Sequence, residues 1–98
     1  METREMTLLR IFISETEKMG GSPAFEAIVS MAKEEGIGGV TVLKGIMGYG
    51  SHRSIHSSKI LDLSTDLPVI IEAVDSSEAI DKFVGKLEKI LTSGTITM

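Results

Sequence analysis

Residues Leu67 to Leu91 read LPVIIEAVDSSEAIDKFVGKLEKIL and change period halfway along. Up to Val74 the run is β-branched and strand-like, while after Asp75 the apolar residues Ile80, Phe83, Val84, Leu87 and Leu91 trace one face of a helix. Asp75 followed by Glu78 has capping-box spacing, with Asp in the place of the usual Ser or Thr. Gly94 is expected to end this helix, leaving Thr95 to Met98 as a short last strand. Upstream, Lys59 to Leu63 is also strand-like and is taken as the first part of one strand, interrupted by Thr65-Asp66 and Pro68.

Moving toward the N-terminus, Met47 to Ser58 has no periodicity and is expected to be the most mobile internal segment. Val40 to Gly45, VTVLKG, reads as a short strand. Before it, Ser22 can cap a helix with Pro23 at its first position. Phe25, Ile28, Val29 and Ala32 then recur at helical spacing until Gly36. Thr7 to Ser14, TLLRIFIS, alternates Leu9, Ile11 and Ile13 with Leu8, Arg10 and Phe12, as a strand requires. The order is βαββαβ. It predicts an α+β, ferredoxin-like fold with an antiparallel sheet and both helices on one face. Leu8, Phe12, Ile70 and Val74 would then leave the second face apolar, and self-association follows.

At 98 residues and 10.5 kDa the chain has room for one core, a single domain over residues 1–98. It contains no Cys, which excludes thiolate catalysis, Cys-ligated zinc and iron–sulfur clusters and fits a reducing compartment. The opening METREMTLLR has acidic residues and no long apolar run, so neither a signal peptide nor a membrane anchor is expected, and the cytoplasm is the expected location. A net charge of −4 argues against general nucleic-acid binding. An RNA-recognition module of this strand order would need exposed aromatics on its central strands, and the chain has only Tyr49, Phe12, Phe25 and Phe83.

The charge is unevenly placed. No acidic residue lies between Glu35 and Asp62, whereas Lys44, His52, Arg53, His56 and Lys59 do, and the same region holds six of the ten glycines. Glycine lets backbone approach a ligand closely, so glycine density beside basic residues suits an anion such as a phosphate. Gly45, Gly48 and Gly50 form G-x-x-G-x-G, which is neither a dinucleotide fingerprint nor a P-loop. His52 and His56, four apart, could share a metal, though a third ligand would have to come from elsewhere. Ser51 beside His52 makes no triad, and Glu72 and Asp75 read as an outward strand residue and a cap rather than general acids. No catalytic residue is assigned, and the protein is expected not to be an enzyme.

Gly36-Ile37-Gly38-Gly39-Val40-Thr41-Val42, followed by Lys44-Gly45-Ile46-Met47-Gly48-Tyr49-Gly50, resembles the PII nitrogen-regulatory proteins where the first helix leads through the second strand into the T-loop. Leu67 to Asp75 is similar to the strand on which PII returns. A Gly-Tyr-Gly turn at Tyr49, His56, and Leu63 to Glu72 resemble a family of small PII-like proteins over nearly the whole chain. The resemblance implies a homotrimer that senses a small-molecule effector. It would bind an adenine nucleotide (ATP, ADP or AMP, with or without Mg²⁺) in clefts between subunits and regulate another protein through its loop. By position, the implied ligand-binding residues are Gly38, Gly39, Lys44, Gly45, Gly48, Tyr49, Gly50, Ser93, Gly94 and Thr95. PII has a longer, Lys-containing glycine loop where this chain has the uncharged Thr92-Ser93-Gly94-Thr95, so Arg53, Lys59 and Lys44 would supply the charge. The loop lacks the tyrosine and surroundings used for uridylylation. The CutA family shares the fold, is trimeric and is linked to divalent metals, which gives the alternative role for His52 and His56.

Overall fold

A computed structural model describes residues 3–49, 56–57 and 67–98. Among these residues the main sheet has four strands, β1 (Thr7–Ser14), β2 (Gly39–Lys44), β3 (Pro68–Asp75) and β4 (Thr95–Thr97), in the spatial order β2-β3-β1-β4. All neighbours are antiparallel, with Leu9 opposite Ala73, Ile11 opposite Ile71 and Ile96, and Val42 opposite Ile71. Helices α1 (Ala24–Glu34) and α2 (Ser77–Glu88) connect β1 to β2 and β3 to β4. This is the α+β, ferredoxin-like βαββαβ arrangement, with both helices on one face of the sheet.

Alternation along the strands decides which side is covered. Leu9, Ile11 and Ile13 of β1 and Val69, Ile71 and Ala73 of β3 meet Ala24, Ile28 and Ala32 of α1 and Ile80, Phe83, Val84 and Leu87 of α2 in one buried cluster. Burying each large side chain contributes about 1.5–3 kcal/mol, so this layer holds the fold. The opposite face carries Leu8, Phe12, Leu43, Ile70 and Val74, of which Leu8 and Phe12 remain 37% exposed. Near its middle, Arg10 Nε donates to Glu72 Oε2 at 2.9 Å.

Several element ends differ from the sequence expectation. Lys18–Met19 pairs with Ser22–Pro23 across Gly20 and Gly21, both at positive φ. Ser22 is therefore held in a strand bridge and Pro23 takes the N-cap position, so Ser22 is not the cap of α1. At its other end α1 closes as expected at Gly36: Gly36 N–H donates to Lys33 O, Ile37 N–H donates to Ala32 O, and Gly36 has φ +75°. The cap of α2 is Ser76, whose hydroxyl accepts from Ala79 N–H at 3.2 Å, and not Asp75. Helix α2 ends at Glu88 rather than at Gly94. Gly94, at φ +109°, instead turns the chain into β4, where the Phe12 carbonyl would lie 2.8 Å from any Cβ.

Met47–Gly48 pairs with His56–Ser57, so the aperiodic segment contains a short antiparallel ladder. Lys59 to Leu63, expected as the first part of the third strand, lies outside the described residues.

Candidate functional site

Each candidate residue is placed by the strand it borders. Gly38 and Gly39 stand where α1 turns into β2, with Gly39 opposite Val74. The Asp75 carboxylate ties this turn to the start of α2, its Oδ1 accepting from Ser76 N–H at 2.6 Å and its Oδ2 from Gly38 N–H at 2.8 Å. These two backbone donors, Ser76 first and Gly38 second, lower the Asp75 pKa below its ordinary value, because each bond favours the ionised form.

Lys44 and Gly45 lie at the far end of β2. Gly45 N–H donates to Pro68 O at 2.7 Å, and a Cβ on Gly45 would stand 2.6 Å from Pro68 Cγ. Only glycine lets the strand leave here so close to the strand that returns. Beyond it, Ile46, Met47 and Tyr49 project into solvent, Ile46 at 76% exposure and Tyr49 at 68%. Lys44 Nζ pairs with Glu15 Oε1 at 2.9 Å. Glu15, which belongs to no motif in the sequence, also donates its own N–H to Leu67 O at 3.0 Å. Only the β1–β3 register, which sets Ser14 opposite Pro68, brings it there, and nothing local in the sequence signals it.

Ser93, Gly94 and Thr95 border the other edge of the sheet at the same end as Lys44, with Thr95 opposite Phe12. Ser93 and Gly94 line a shallow recess of about 280 Å³ with Glu88, Leu91, Thr92 and Ile96. Its one ionisable group is an acid, so the recess alone offers a phosphate no positive charge.

Within one chain the described candidates therefore form three groups. Gly39 and Lys44 are separated by the length of β2, roughly 17 Å, and the edges bearing Lys44 and Thr95 are about 14 Å apart across three strand spacings. Gly50, Arg53, Lys59 and His52 lie outside the described residues, and His56 is placed only through its strand pairing with Gly48. Among the described residues no three His, Asp or Glu side chains converge as metal ligands. Among them, too, no helix is long and apolar enough to cross a membrane.

Comparison with known proteins gives this arrangement relatives. The model of the DUF190 family, described as "Uncharacterized ACR", matches residues 6–98. A UPF0166 protein of Aquifex aeolicus (strain VF5) is 38% identical over 98 residues, covering 100% of this chain and 92% of that one. The UPF0166 protein MJ1524 of Methanocaldococcus jannaschii is 42% identical over 84 residues, 86% of this chain and 77% of its own. Among solved structures, CPII of Thiomonas intermedia K12 bound to ADP and bicarbonate superposes with a TM-score of 0.62 at 18% identity, covering 95% of this chain and 85% of that one. A second structure of CPII, a nitrogen regulatory PII-like protein bound to ADP, AMP and bicarbonate, gives a TM-score of 0.61 at 16% identity, over 96% of this chain and 92% of that one. At such identity the likeness is one of fold.

Proposed function

The chain belongs to the DUF190 family, and from that premise we propose that it is a PII-like, non-enzymatic ligand sensor. It assembles as a homotrimer, binds an adenine nucleotide in the clefts between subunits, and regulates a partner protein through the loop 47–58. The observation that carries this reading is the division of the candidate residues between the two edge strands. Lys44, Gly45 and Gly48 border β2 while Ser93, Gly94 and Thr95 border β4, the opposite edge of the sheet; in the proposed assembly the edges of adjacent subunits bring the two groups together. Two further observations support it. The open face of the sheet presents Leu8, Phe12, Leu43 and Val74 to solvent, which is apolar area that neighbouring copies would bury. CPII, which shares this fold, is a PII-like protein that holds ADP.

In the proposed cleft, backbone at Gly38 and Gly39 and the root of the loop at Gly45 to Gly50 approach the ligand. Lys44, Arg53 and Lys59 supply its phosphates with charge-assisted hydrogen bonds. A thermal melt tests the assignment. ADP, ATP or AMP at about a hundredfold over its Kd should stabilise the protein by roughly 2.7 kcal/mol, since only the folded assembly binds. Melting curves that none of these nucleotides moves, with or without Mg²⁺, would overturn nucleotide sensing.

A further inference from the structure

From the contacts of Glu15 we infer that this residue is the internal competitor for the phosphate-binding lysine, and that it sets how strongly the ligand site prefers a phosphorylated ligand to an uncharged one. The inference rests on the nucleotide reading above and adds to it a residue whose effect opposes binding.

Three contacts converge where the chain leaves β2 and re-enters at β3. Glu15 N–H donates to Leu67 O at 3.0 Å, Gly45 N–H donates to Pro68 O at 2.7 Å, and Glu15 Oε1 meets Lys44 Nζ at 2.9 Å. The first bond is made by backbone, so the position of Glu15 does not depend on its side chain. Its carboxylate is delivered to Lys44 by the register of β1 on β3. Lys44 is the one basic side chain described within the acid-free segment between Glu35 and Asp62, and Glu15 occupies it.

The pair is well hydrated, with side-chain exposures of 56% for Lys44 and 30% for Glu15. Such a pair is weak and is readily exchanged for a better anion. A phosphate group, with more charge and more acceptor oxygens than a carboxylate, is that anion. Binding through Lys44 therefore breaks the Glu15 contact and leaves a carboxylate near the phosphate, and both effects oppose the ligand. Adenosine, which has no phosphate, makes neither demand.

Isothermal titration with ADP and with adenosine tests this on the wild-type chain, Glu15→Gln, Lys44→Met and the double variant. Glutamine keeps the backbone bond to Leu67 and removes the charge. Glu15→Gln should tighten ADP about fivefold, the upper range for an exposed ion pair, and leave adenosine unchanged. In the Lys44→Met background the same substitution should have less than half that effect. An ADP affinity unchanged or weakened by Glu15→Gln overturns the inference, as does equal tightening with and without Lys44. Should ADP bind the wild-type chain yet ignore Glu15, only this inference falls. Should the wild-type chain take up no ADP, it falls together with the nucleotide reading.

Discussion

Gly45 donates its backbone N–H to the carbonyl oxygen of Pro68 at 2.7 Å, and this contact joins the ends of the segment between β2 and β3, on which, with Gly45, half of the candidate ligand residues fall. The approach is possible only without a side chain, because a Cβ at Gly45 would stand 2.6 Å from Pro68 Cγ, part of a ring that cannot swing aside. Gly45→Ala should therefore destabilise the protein by about 1–3 kcal/mol, the usual range for overpacking. Gly39→Ala, on the same strand with no atom within 4 Å of its Cβ position, should cost much less. Urea unfolding of both variants checks the contrast, and equal losses would contradict it.

The Asp75 carboxylate, held ionised by Ser76 and Gly38, predicts a pH dependence. Its folded pKa is below the unfolded one, so its contribution is fully present above the ordinary carboxylate range and is lost as pH falls through the folded value. Asp75→Asn should lower the melting temperature at neutral pH, and the gap from wild type should narrow on acidification. Parallel melting curves from about pH 7 to pH 2 would show that Asp75 does not couple the α1–β2 turn to α2.

Phe12 stands on the open face of the central strand β1, opposite Ile70 of β3. Phe12→Asp exchanges an apolar side chain for a charge, beside the Arg10–Glu72 pair, on the face that the proposed trimer buries, and burying a further charge is costly. The side chain lies away from the helix-covered core, so each chain should keep its fold. Light scattering should report a mass near 10.5 kDa for the variant, with its circular dichroism unchanged. A variant that keeps the wild-type oligomer would place the subunit interface elsewhere.

Much of the fold is legible in the sequence because alternation and helical spacing are local. Strand β1 is found at Thr7–Ser14, the residues its alternation marks, and α1 closes at Gly36 through the positive φ that glycine permits. Ends decided by several residues together are less legible. Gly20-Gly21 is a hairpin signal that pairs Ser22 with Met19 and so removes Ser22 from the helix start. Asp75 and Ser76 are both good caps, and strand β3 running through Asp75 leaves the cap to Ser76. Gly94 reads as a helix stop, yet α2 ends at Glu88 and Gly94 instead turns the chain into β4, its missing Cβ leaving room for the Phe12 carbonyl.

The candidate site is legible as residue types but not as a place. Nothing local sets Lys44 and Thr95 on opposite sheet edges or brings Glu15 to Lys44, since both depend on strand order and register.

The central claim, an adenine nucleotide held between identical subunits, is tested most directly by native mass spectrometry of the full chain mixed with ADP. The account predicts a species of three chains, each of 10.5 kDa, carrying up to three ADP molecules, with no ADP retained by single chains. A monomer that binds ADP by itself, or a trimer that retains none at saturating concentration, would contradict it.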